Sequence, residues 1–130
     1  MKVLYNFTLF NIGNTHIVVT LINEENENIL TEESNNQKPN SNYILNLKIF
    51  SEDYDYDPLN FQPSKSKIRI GRSSDCEVFI NDSLISRYQC IIEYDNTVGW
   101  TIRDGYTVKN LNGATEYKSS TNGTWYVLFK

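Results

Sequence analysis

Alanine occurs once in this chain, at Ala114, and histidine once, at His16. Cysteine occurs twice, at Cys76 and Cys90. Alanine is the best helix former, so a chain almost without it, and rich in Tyr and Ile, leans towards strands. One histidine and two cysteines leave a zinc cage or a cysteine–histidine catalytic set almost no material. Neither a metal nor a cofactor is expected. No apolar run approaches the roughly 18 residues of a membrane-spanning helix, and no membrane partner is expected. The apolar start, Met1 to Ile22, is interrupted by Asn6, Thr8, Asn11 and Asn14 and lacks a small-residue cleavage site, so it reads as mature protein. Both cysteines lie in strand-like apolar segments and read as buried free thiols, which places the chain inside the cell.

Basic charge is also short of what a polyanion partner demands. The net charge is -4, and it is unevenly spread. Residues 23–60 carry nine acidic side chains against Lys38 and Lys48, while residues 61–130 carry nine basic against seven acidic. A general nucleic-acid binder needs a basic stripe, and none is present. The mild positive excess of the C-terminal part suits a small anion better.

What the chain does have is a series of short strand patterns. At 130 residues it is one ordinary domain with room for an appendage. Val3 to Phe10 and Ile17 to Ile22, around Asn11-Ile12-Gly13-Asn14, read as a hairpin. Residues 23–42, rich in Asn, Glu and Ser, read as a flexible acidic linker. Tyr43 to Phe50 alternates apolar and polar, as a half-buried strand does. Lys67 to Ile70, Glu77 to Ile80, Gln89 to Tyr94, Trp100 to Arg103 and Thr124 to Phe129 are further strands, with turn residues between them. No window supports a long amphipathic helix. The pattern predicts an all-β chain folded as a two-sheet β-sandwich.

Three loops carry residues with chemistry. Gly71-Arg72-Ser73-Ser74 follows a strand, where glycine permits a sharp turn and Arg72 offers a fixed fork of donors for phosphate or carboxylate. Ser86-Arg87 sets a hydroxyl beside a second guanidinium. Ser120-Thr121-Asn122-Gly123-Thr124 offers an asparagine with one donor and one acceptor group, suited to a peptide main chain. No nucleophile–base pair or carboxylate pair stands out, so the chain does not read as an enzyme.

The ordered set is Ile70-Gly71-Arg72-Ser73, Cys76-Glu77-Val78-Phe79-Ile80, Ser86-Arg87, Trp100-Thr101-Ile102-Arg103-Asp104 and Ser120-Thr121-Asn122-Gly123-Thr124. It resembles the forkhead-associated (FHA) domain over residues 43–130. The resemblance implies a β-sandwich that binds phosphothreonine peptides through loops at one end. It implies that Arg72 and Ser86 meet the phosphate, that Thr121 neighbours it, that Arg87 faces the peptide and that Asn122 pairs with the peptide main chain. Gly71, Gly123 and Gln89 would support the site, with Trp100, Ile102 and Asp104 as scaffold. The chain departs from the family pattern in three ways. Gln89 stands where the family usually has a loop-bracing histidine. Gly105 to Ser119 is longer than the usual link and reads as an insertion. The chain also stops before the family's final hairpin.

The hairpin in residues 1–22 resembles the missing one. It either closes the sandwich in circularly permuted order or ends an upstream domain. In the first case residues 23–42 are the tether, spanning roughly 25 Å on average, and the pairing forms within one chain or by exchange between two. The function implied is phosphorylation-dependent binding of a phosphothreonine-containing protein. The alternative is a structural or assembly domain with a degenerate or unused phosphopeptide site.

Overall fold

Short β-branched and aromatic segments punctuated by turn residues favour strands over helices, and the structure, a computed structural model, is all-β. It describes residues 2–23, 43–65, 67–109 and 111–128. The strands are β1 (Lys2–Val3), β2 (Thr8–Ile12), β3 (Thr15–Asn23), β4 (Tyr43–Phe50), β5 (Leu59–Phe61), β6 (Lys67–Gly71), β7 (Val78–Phe79), β8 (Cys90–Asp95), β9 (Gly99–Asp104), β10 (Tyr106–Lys109), β11 (Thr115–Lys118) and β12 (Trp125–Leu128). The linker expected over residues 23–42 lies outside the described residues except for Asn23, which ends β3 opposite Tyr43.

One sheet runs β1-β9-β8-β6-β7 and the other β12-β2-β3-β4-β5. All described pairs are antiparallel except β6 with β7. Register explains the core. In the second sheet Phe10 lies opposite Ile17 and Ile17 opposite Ile49, and the next row joins Thr8, Val19 and Leu47. In the first sheet Ile68, Ile92 and Ile102 form one row, and Val78, Ile70 and Cys90 the next. Alternating residues point to one face of a sheet, so these rows meet in one buried cluster between the sheets. Trp100 crosses the core, its indole N–H donating to the Tyr43 carbonyl at 2.9 Å. Cys76 and Cys90 are buried and unbridged.

The N-terminal hairpin is part of this sandwich. β2 pairs with β12 on one side and β3 pairs with β4 on the other. Phe10, Ile12, Ile17, Val19 and Leu21 are buried. At roughly 2 kcal/mol per buried aliphatic side chain, they contribute on the order of 10 kcal/mol, comparable with the whole net stability of a domain. The hairpin therefore closes the sandwich rather than decorating it.

One sequence expectation needs correction, and two further segments gain strands. The strand expected over Val3 to Phe10 is broken, because the chain crosses between sheets there. Leu4 still bonds to Trp100 in the first sheet, while Phe7 N–H already donates to Val19 in the second, with Phe7 at φ 64°. The stretch Gly105 to Ser119, read as an insertion, holds the β10–β11 hairpin, which forms a sheet of its own. Leu59–Phe61, unassigned from sequence, adds an edge strand to β4.

Candidate functional site

β6, β8, β9 and β12 all have an end at the same pole of the sandwich, and their connecting loops bring the candidate residues together. Gly71 ends β6. Its φ is not left-handed. A Cβ placed there would lie 2.1 Å from the Arg87 carbonyl oxygen. Glycine is required for close approach of two backbones, not for the sharp turn that the sequence suggested. The approach lets Arg72 N–H donate to the Ser86 carbonyl and Ser73 N–H to the Arg87 carbonyl, both at 3.1 Å. The Arg72 loop and the Ser86 loop are thereby zipped together.

Gln89 fastens the third loop to the second. It is completely buried. Its Oε1 accepts the Ser86 N–H at 2.9 Å, and its Nε2 donates to the Gly123 carbonyl at 2.8 Å and to Thr124 Oγ1 at 3.2 Å. Thr124 Oγ1 in turn donates to Asp104 Oδ1 at 2.7 Å. Asp104 also accepts from the Ser120 hydroxyl at 2.5 Å and the Ser120 N–H at 3.1 Å. Glutamine can donate and accept at once, so it ties both loops without a charge. Asp104, expected only as scaffold at a strand end, is the anchor of the 120–124 loop. Gly123 has φ +79°, a turn conformation that glycine adopts freely.

The candidate residues face one open cleft. Arg72, Ser86, Arg87, Thr121 and Asn122 all line it, with Ser83, Leu84, Ser119 and Tyr106. Its volume is about 330 Å3, far beyond the roughly 30 Å3 share of one water. Ser86 Oγ accepts the Thr121 N–H at 2.9 Å. Arg72 uses Nε to donate to the Ile85 carbonyl at 3.2 Å, which aims the guanidinium. Asn122 Nδ2 donates to the Leu84 carbonyl at 2.6 Å, leaving Oδ1 as an acceptor. Sequence reasoning missed Ser83, Leu84, Ser119 and Tyr106. The hydroxyl run Ser119-Ser120-Thr121 was the one available hint.

Charge distribution separates this cleft from the rest of the surface. Arg69 is paired with Asp75 and Glu77, and Arg103 with Glu93. Arg72 and Arg87 have no carboxylate partner among the described residues, and no carboxylate lines the cleft. A second cleft with Glu52, Asp53 and Asp82 abuts it at Ser83 and would repel an anion. The N-terminal hairpin also supports the site, since Asp82 accepts from Asn14 N–H at 2.8 Å and the Thr15 hydroxyl at 2.9 Å. Burial pushes both the Cys76 and Cys90 thiols up, so neither is a ready nucleophile at neutral pH.

The zipped loops thus bring two guanidiniums without a carboxylate partner among the described residues, and an asparagine acceptor, to one pole. The family model of the FHA domain matches residues 68–127. Residues 68–127 are thus similar to the FHA domain. FHA domains are in general phosphopeptide-binding modules for protein interaction, not enzymes. The FHA match begins within β6, and the N-terminal hairpin and β4 lie outside it. No curated protein and no solved structure matches the chain. Among the described residues no helix is long and apolar enough to cross a membrane.

Proposed function

We propose that this chain binds phosphothreonine peptides in the cleft lined by Arg72, Ser86, Arg87, Thr121 and Asn122. The observation that carries this reading is the pair of arginines without a carboxylate partner among the described residues, in a cleft lined by no carboxylate, on a chain of net charge -4. A phosphate brings about -1.5 to -2 charges at neutral pH. Hydrogen bonds from Arg72, and from the Ser86 and Thr121 hydroxyls once they rotate, contribute roughly 1.5–3 kcal/mol each when the acceptor is charged. Asn122 Oδ1 then accepts a main-chain N–H of the peptide. The family's preference points to threonine over serine. The partner is a phosphorylated protein met inside the cell, where both thiols stay reduced.

An assembly domain with a degenerate site is the rival reading. The bonding of Gln89 weighs against it, because a buried side chain with all its polar atoms used keeps the loops in place without the usual histidine. Calorimetric titration with a phosphothreonine peptide library, its phosphoserine twin and the unmodified library tests the proposal. Binding should require phosphate and favour threonine. Absence of binding to all three would leave the assembly reading.

A further inference from the structure

The β10–β11 hairpin pairs with neither sheet of the sandwich. It forms a two-stranded sheet of its own, with no third strand among the described residues. Residues 111–119 are all exposed, with Leu111 fully out in solvent and Tyr117 half exposed. All four residues of β11 are exposed, and a two-stranded hairpin alone is marginal in water. Folded proteins usually cover or blunt free strand edges.

Its root, however, is fixed to the candidate cleft. Tyr117 Oη donates to the Asp104 carbonyl at 2.5 Å, and the Tyr106 ring packs on Tyr88 with centroids 5.3 Å apart. Tyr106 and Ser119, the residues at the two feet of the hairpin, line the cleft. β11 then runs without interruption into Ser119, Ser120 and Thr121.

We propose that the outer edge of β11 is a docking edge for the phosphorylated partner. The peptide segment flanking the phosphothreonine leaves the cleft in extended form and adds to β11 as a third strand, main chain to main chain. The proposal rests on the phosphopeptide reading of the cleft and extends it. Strand addition of this kind draws affinity from backbone hydrogen bonds and is tolerant of side-chain identity. The four residues of β11 offer an edge of roughly 13 Å. The β10 edge is the poorer choice, since it begins at Tyr106, whose ring is already packed on Tyr88.

The test uses the full chain and three peptides: a short phosphothreonine core, the core extended by four residues on its N-terminal side, and the core extended on its C-terminal side. A strand lying along one edge leaves the cleft in one direction. One extension should therefore raise affinity by about tenfold and the other should not. Methylating the backbone nitrogens of the effective extension should abolish the gain. A variant with residues 108–116 replaced by Asn-Gly keeps Tyr106 and Tyr117 and should bind the short core like wild type while losing the gain. Equal gain from both extensions, gain from neither, or a gain that survives in the shortened variant overturns the proposal but leaves the cleft reading standing. Failure of the short core to bind overturns both. Sedimentation showing a dimer that disappears on shortening the hairpin, with no gain from either extension, would assign the edge to a second copy and also overturn it.

Discussion

Gln89 Oε1 accepts the backbone N–H of Ser86 at 2.9 Å, and through its amide nitrogen the same side chain holds the loop that carries Asn122. One neutral residue thus sets the distance between the two halves of the cleft. Gln89→Leu should leave the Ser86 N–H and the Gly123 carbonyl unsatisfied. The expected loss is about 2 kcal/mol of stability, the low end of the roughly 1–3 kcal/mol that each orphan costs, because both groups are only half-buried. Phosphopeptide affinity should fall as well. Denaturant unfolding and a peptide titration on the same variant check both effects.

Gly71→Ala adds one methyl group where the Arg87 carbonyl oxygen lies 2.1 Å away. A backbone atom cannot rotate aside, so the zipped loops must separate. The expected cost is about 1–3 kcal/mol or more, by analogy with overpacked cores, read as a lower melting temperature. A variant as stable as wild type would mean the two loops are not held this closely.

The strands and the site differ in how much of them the sequence reveals. The cleft residues Arg72, Ser86, Arg87, Thr121 and Asn122 were legible because each lies in a short turn between patterned strands, in a recognisable order. The β10–β11 hairpin was not. Thr115–Lys118 is exposed throughout and carries no apolar alternation to read, and Tyr106–Lys109 is only four residues long. β1 has two residues, too few for any period. The reason for Gly71 is a tertiary approach to Arg87, which no local pattern records. Asp104 was placed at the right strand end, but its bonds to Ser120 and Thr124 bridge residues 16 and 20 positions on.

Removing residues 1–22 should unfold or aggregate the remainder. β12 would lose β2, β4 would lose one of its two neighbours, and six buried apolar side chains would leave the core. Circular dichroism and light scattering on the truncated chain read this directly. A soluble truncation with an unchanged melting temperature would contradict the closed sandwich.

Acid should loosen one flank of the site. Hydrogen bonds from Ser73 and Tyr88, with Arg69 nearby, hold the Asp75 carboxyl below its ordinary range. A depressed folded value means the stabilisation is present above the unfolded value near 3.9 and is lost as pH falls through the folded one. Asp75→Asn should therefore lower the melting temperature equally at pH 7 and pH 5, and the difference from wild type should shrink below about pH 4. A difference that persists undiminished to pH 2 would rule out the carboxylate as its source.

The central claim is that the guanidinium of Arg72 holds the phosphate. Titration of one phosphothreonine peptide into wild type and Arg72→Ala, with melting temperatures measured alongside, tests it most directly. The expected result is an affinity loss of about thirtyfold or more, equivalent to roughly 2 kcal/mol for truncating one member of a charge-assisted pair, with folding retained because the side chain is exposed. Equal affinity of the folded variant and wild type would contradict the claim.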